Sequence, residues 1–226
     1  TFGTITPGTY EWHAQVKDVL PGDLVTFSQS AAFRDPNVGV SKPVDVTAIT
    51  LGGTDGANYA LQNPTATAFA DITGLGLALS YTASDKVYDG TTAATVAGTL
   101  TGILPGDVVT LSEDAAFRDK NVGTDKPVDV WAITLGGADA GNYTLPADTA
   151  LADADITPRE LTAGYTAADK VYDRTTAAAV SGSSSDIVAG DLVSFTQAAA
   201  FRDANVGTDK PVDVTTIALG GADAGN

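Results

Sequence analysis

Cysteine and methionine are both missing from this chain of 226 residues, and histidine occurs once, at His13. Without thiols, a disulfide framework, a zinc–thiolate site and a cysteine nucleophile are all excluded. The lone imidazole sits in "YEWHAQV" with no second His nearby in sequence, so it reads as a strand-surface residue rather than a catalytic base. No G-x-S-x-G, H-E-x-x-H or P-loop pattern is present, and "SGSSSD" at 181–186 reads as a polar loop. The chain is therefore expected to be no enzyme and to need no cofactor, bound Ca²⁺ being the one alternative to weigh. Positive charge is also scarce: 12 Lys and Arg stand against 28 Asp and Glu, a net charge of -16. That balance argues against nucleic acid, whose phosphates need clustered cations, and against anionic membrane surfaces. No apolar run approaches the roughly 20 residues that span a bilayer, so no direct membrane insertion is expected. No basic segment followed by an apolar one opens the chain, so an exported parent would carry its signal outside these residues.

What is present is apolar side chain, 43% of the residues, enough for real cores and unlike an acidic disordered tail. Aromatics are few, and the acid is almost wholly Asp, with Glu only at 11, 113 and 160. Asp favours turns and is depleted in strands, so its excess reads first as many turns.

The ordering principle is repetition. "AFRD" begins at Ala32, Ala116 and Ala200, and "NVGTDKPVDV" fills 121–130 and 205–214, with "NVGVSKPVDV" at 37–46. "GGADAGN" begins at Gly136 and Gly220, with "GGTDGAN" at Gly52, so every spacing is 84 residues. Of the 62 residues from Tyr81 and from Tyr165, 42 are identical, so the copies must fold alike. A period of 84 is too long for solenoid repeats and suits one small domain per copy. The expected domains are 1–78, 79–160 and 161–226, joined by short linkers into an extended rod.

Sustained helical periodicity is lacking, while short β-branched runs bounded by turn residues are dense. The middle copy predicts strands near 80–88, 93–97, 107–112, 115–118, 127–135, 143–145 and 149–156. In "PVDVWAITL", Val128 and Val130 share one parity and Ile133 and Leu135 the other. One extra residue near Trp131 and Ala132, a β-bulge, accounts for the switch, and it recurs at Thr47/Ala48 and Thr215/Thr216. Asp139, Gly141 and Tyr143 form a D-x-G-x-Y pattern that looks like a tyrosine corner, in which the hydroxyl bonds back to nearby backbone. The first copy keeps Asp55 and Tyr59 but carries Ala57 in place of the glycine. The fold class read from these signals is all-β, as tandem immunoglobulin-like Greek-key β-sandwiches.

"KVYDGTT" at 86–92, "GADAGNYTL" and the closing "ADITP" at 154–158 together resemble the YDG-type repeats, grouped with the mostly bacterial immunoglobulin-like modules. The resemblance covers nearly the whole chain, although Arg174 replaces the Gly of "YDG" in the third copy and the first copy lacks that heptad. It implies secreted or cell-surface bacterial proteins, including filamentous-haemagglutinin-like adhesins, and brings no catalytic residue with it. An extracellular, fibre-forming or stalk role follows as an expectation, with a glycan-binding accessory module as the rival. The expected partners are neighbouring repeats or other copies of the chain, with a host-surface or polysaccharide ligand unspecified.

Several residues are candidates for more specific roles. Asp153 and Asp155 at a join, with Asp119 and Asp125, could supply oxygens to Ca²⁺, although no D-x-D-x-D-G loop is present. Lys86 or Lys170 with Asn142 could form an isopeptide, against the plainer reading of snorkelling lysines and a turn asparagine. Trp131, with no Trp in its sister copies, is the residue to watch for sugar stacking; Trp12 is equally isolated. The third copy is short of its last two strands and the first of its opening ones, which would leave open edges, so either the chain is a window on a longer repeat array or its ends complete each other. Thr4, Ile5, Thr6 and Pro7, in a "TITP" like the closing "DITP", could add as a strand to another chain's third copy. In "NVGTDKPVDV", Gly123 is expected at positive φ in a turn and Pro127 as the first residue of a strand. Asp125, Lys126 and Asp129 have no backbone reason of this kind, nor has Ser41 in place of Asp125.

Overall fold

The computed structural model describes residues 18–226. Its elements are strands and two short 3-10 turns, so the chain is all-β, as its patterning predicts. It divides into two compact units, Thr1–Leu75 with Gly141–Thr144, and Gly76–Ala140 with Leu145–Asn226.

In the first unit, β1 (Thr26–Phe33), β2 (Gly39–Gly52) and β3 (Ala66–Ile72) form an antiparallel sheet with β2 in the middle. Val44 and Val46 on β2 are its buried apolar residues. A two-residue strand β4 (Leu75–Gly76) follows.

The second unit carries β5 (Ala78–Ala83), β6 (Lys86–Val87), β7 (Val96–Thr101), β8 (Thr110–Phe117) and β9 (Gly123–Gly136). The two-residue β10 (Tyr143–Thr144) clusters with the first unit, and β11 (Ala150–Thr157) returns to the second. A four-stranded sheet runs β6-β11-β9-β8, with β6 parallel to β11 and the other pairs antiparallel. The β5–β7 hairpin supplies Ala83 and Val96 to the core of Tyr88, Phe117, Val128, Ala154 and Ile156. The remaining strands pair two by two: β12 (Gly164–Ala167) with β13 (Val180–Ser183), and β14 (Ser194–Phe201) with β15 (Val212–Gly220).

The bulge falls where the parity switch places it. The β8–β9 register slips between Ser112↔Thr134 and Asp114↔Trp131, and Ala132 takes φ +53. Ala48 and Thr216 do the same at +53 and +55 in the sister copies. The extra residue returns Ile133 to the buried side that Val128 and Val130 already occupy.

Three local expectations are corrected. Strands 107–112 and 115–118 are one strand, β8, and β7 begins at Val96 rather than residue 93. Pro127 lies inside β9, four residues after its start, instead of opening it. A strand residue directs its N–H and C=O to the same side, and the Pro127 carbonyl accepts from Arg118 beyond the last β8–β9 pair, Phe117↔Val128. The missing proline N–H thus falls where that ladder has ended. Finally, Gly123 is not at positive φ; Asp125 is, at +49, as are Ser41 at +51 and Asp209 at +49. A short polar side chain tolerates that region, which explains why Ser can stand in for Asp. Gly123 serves a different purpose: a Cβ there would lie 3.2 Å from Cδ of Lys126, so the glycine makes room for a lysine stem.

Candidate functional site

The repeated stretch is held by two ion pairs in each copy. Arg118 forks onto Asp129, its Nη2 2.8 Å from Oδ1, and Lys126 reaches back over Gly123 to Asp119 at 2.7 Å. Arg34–Asp45 and Arg202–Asp213 repeat the fork, and Lys42–Asp35 and Lys210–Asp203 repeat the lysine pair. The lysine beside Asp119 and the Asn121 N–H, which donates to the same carboxylate, hold that acid below its usual range. The Arg118 guanidinium does the same for Asp129. Asp125 N–H donates to Asp155 Oδ1 at 2.8 Å, taking up the donor that its left-handed backbone turns out of the ladder. Ser41 donates to Asp71 at 2.7 Å in the same way. The charged trio and the serine that had no backbone reason are thus internal fastenings.

The same geometry engages two of the four acids weighed for Ca²⁺. Asp119 and Asp155 spend an oxygen each on the contacts above, and Asp125 and exposed Asp153 do not join them in a cluster. Among the described residues no three His, Cys, Asp or Glu come together in a cation site. The lysines weighed for an isopeptide are engaged in their own turns. Lys86 Nζ bonds Asp89 at 2.8 Å and the Thr91 and Ala93 carbonyls, and Lys170 repeats this with Asp173, Thr175 and Ala177.

In the first copy the corner Tyr59 does meet backbone, accepting from Leu20 N–H at 2.9 Å and donating to Asp23 Oδ2 at 2.6 Å. The contact closes a loop of 39 residues rather than a few. The acceptor Asp23 raises the Tyr59 pKa above its usual value. Asp55, Asp139 and Asp223 each accept a backbone N–H, from Leu24, Val108 and Leu192, all at 2.8 Å. Tyr143 is buried. Gly141 has open space where a Cβ would project and an ordinary φ, so Ala57 in the first copy costs nothing. The glycine the corner needs is Gly137, at φ +99, where a Cβ would meet the Val108 carbonyl at 2.3 Å.

One contact has no counterpart in the sequence reading. Asn142, the last residue of "GGADAGN", accepts from Val38 N–H at 2.9 Å and donates to Asn37 Oδ1 at 3.2 Å. Its sister Asn226 accepts from Val122 N–H at 3.1 Å. The corner asparagine of one copy therefore caps the "NVG" turn of the copy before it, twice, at the same separation of 104 residues. The second joint carries more. Tyr88 Oη donates to Asp191 Oδ1 at 3.0 Å, Lys120 Nζ lies 3.2 Å from the same oxygen and over the Tyr88 ring, and Val188 packs on the core around Tyr88. Nothing local marks these residues in sequence; the only signal is that an asparagine recurs at the end of every corner.

Trp131 is 41% exposed and lines an open groove with Asp129, Val130, Thr149, Ala150 and Leu151. The strand-donor residues Thr4, Ile5, Thr6 and Pro7, with Trp12 and His13, lie outside the described residues. Among the described residues no helix is long and apolar enough to cross a membrane.

No curated protein and no solved structure matches the chain. The YDG domain matches three times, over residues 3–68, 77–150 and 157–226, and the chain belongs to that family.

Proposed function

We propose that this chain is a non-enzymatic structural segment of a bacterial cell-surface or secreted fibre or adhesin, a spacer that carries another region. The observation behind this reading is how the repeated charges are used. In each copy the Arg–Asp and Lys–Asp pairs of the shared stretch fasten the copy's own strands and turns. A residue set reserved for a ligand would leave polar groups pointing outward in common; here the common groups point at one another. The acid surface fits an extracellular spacer, since strong net charge keeps such proteins soluble and mutually repelling.

A glycan-binding module is the second reading, supported by exposed Trp131 beside Leu151, which is 64% exposed. A glycan array with the chain and its Trp131→Ala variant separates the two. The spacer reading expects no saccharide bound specifically. Specific binding that the variant loses would replace it with the module.

A further inference from the structure

Along β8 and β9 the second copy departs from both of its sisters at Leu111, Glu113, Asp114 and Trp131 alone. The sisters carry Phe27 and Phe195, Gln29 and Gln197, Ser30 and Ala198, and Thr47 and Thr215 there. Leu111 and Glu113 are half-buried, whereas Asp114 and Trp131 are exposed and are direct cross-strand partners beside the bulge. Opposed residues on one face stand about 4.5–5.5 Å apart at Cβ, so the carboxylate and the indole are neighbours. A third change lies on the next strand: Leu151, 64% exposed, stands where the first copy has Thr67, and it lines the Trp131 groove. The charged residues that all copies share fasten the fold, while those found in this copy alone gather on one open face.

The charges around the ring are not all spent. Arg118 uses its fork on both oxygens of Asp129, so that acid of the groove is neutralised. The Asp114 carboxylate makes no hydrogen bond or ion pair among the described residues. Exposed Asp153, two residues along from Leu151, adds a second negative charge on the same side of the sheet. The free charge beside Trp131 is thus negative, on a chain whose net charge is -16.

We propose that this face binds an arginine side chain of a basic partner protein, with the guanidinium stacked on the Trp131 indole, its N–H groups on Asp114 and its apolar stem along Leu151. A guanidinium is planar, always charged and a donor only, so it suits a π face next to an unpaired carboxylate. A lysine ammonium is a strongly hydrated point charge and gains less from the ring. A sugar hydroxyl both donates and accepts, and the carboxylates here only accept. The first copy has Ser30, Thr47 and Thr67 at these places and so lacks ring, charge and apolar ledge together. A spacer can carry such a site or lack it, so this proposal and the spacer reading fail separately.

An NMR titration of the full chain with the blocked peptide acetyl-Gly-Arg-Gly-amide tests this, read at the Trp131 indole N–H and the Leu151 amide. The expected result is a saturable shift at both, with a Kd of about 1 mM, the weak end of specific affinity. Binding should weaken as salt screens the charges. The same peptide with citrulline keeps the shape and loses the charge, and should bind about fivefold more weakly, the scale of one partly exposed cation–π contact. Asp114→Ser and Trp131→Thr, the residues the first copy already holds there, should each cost about as much, with thermal unfolding as in the parent. Ser30→Asp, Thr47→Trp and Thr67→Leu together should build a second site on the first copy, a gain that loss of folding cannot imitate. Equal binding of the citrulline peptide would overturn the proposal, as would binding that both single variants leave intact. So would a Trp131 signal that moves with protein concentration and not with peptide, which would give the groove to a second copy of the chain. Cellotetraose moving the Trp131 signal where the arginine peptide does not would overturn it in favour of a saccharide.

Discussion

The second and third copies share most of their residues but differ sharply in what they bury. Phe117, Val128, Val130 and Ile133 are buried in the second copy; Phe201, Val212 and Val214 are only half covered, and Ile217 is exposed. No residue of β12 to β15 joins the buried set. The difference lies in β11. Ala150–Thr157 contributes Ala152, Ala154 and Ile156 to the buried set and pairs along β9, whereas among the described residues β15 pairs only with β14. Tyr88 shows the same effect, since its N–H donates to the Thr157 carbonyl at the end of β11. Identical side chains become a core only when the closing strand covers them.

The sharpest way to break this comparison is to truncate the same phenylalanine in each copy. Phe117→Ala should cost about 3–5 kcal/mol, the range for removing a buried aromatic and leaving a cavity. Phe201→Ala should cost about 1–2 kcal/mol, because a half-covered ring returns less apolar surface to water. Urea unfolding read by amide hydrogen exchange in β8 and β9 against β14 and β15 assigns each loss to its own copy. Equal losses would mean that burial does not separate the copies.

A reciprocal swap at the "YDG" turn sharpens it at smaller scale. Gly90 sits at φ +79 and Arg174 at φ +67, a region that L-residues enter at a cost. Arg174→Gly should therefore stabilise the third copy by about 0.5–1 kcal/mol, part of the gain being lost to the freer unfolded chain. Gly90→Arg should be the worse of the pair, because a Cβ there would come within 2.7 Å of Val188 Cγ1. Thermal unfolding of the two single variants gives both signs.

Much of this architecture can be read from sequence because it depends on repetition and on parity. The 84-residue period and the all-β class follow from spacing and turn density, and the bulge at Ala132 follows from one slip in alternation. Gly123 misled because glycine suggests positive φ, whereas its use here is the absence of a Cβ beneath Lys126. Pro127 misled because the end of the β8–β9 ladder cannot be located from β9 alone. The ion pairs were within reach: Arg and Asp recur 11 residues apart, and Asp and Lys 7 apart, in all three copies. The Asn142 and Asn226 joints were not, because each links residues 104 apart in different copies, where no local pattern reports a contact.

The smallest effect is the one on which the copies should agree. Asp89 is held down to about 2 by Lys86 first and then by the Thr91 N–H, and Asp173 to about 2 by Lys170 and the Thr175 N–H. Both carboxylates are about half exposed, so solvent screens the pairs and each adds little to stability. A carboxyl with a lowered folded-state pKa contributes above its unfolded value and loses that contribution as pH falls through the folded one. Each turn should therefore be intact at pH 5 and loosen between about pH 4 and pH 2, as the acid takes up a proton and releases the lysine. Carboxyl carbon shifts of Asp89 and Asp173 in an NMR titration should give the same midpoint, although Tyr88 is buried and Tyr172 is not. Agreement means the turn is fastened by its own lysine and needs no core above it. An Asp173 midpoint near the ordinary 3.8, with Asp89 still near 2, would show that β11 holds the turn as well as the core.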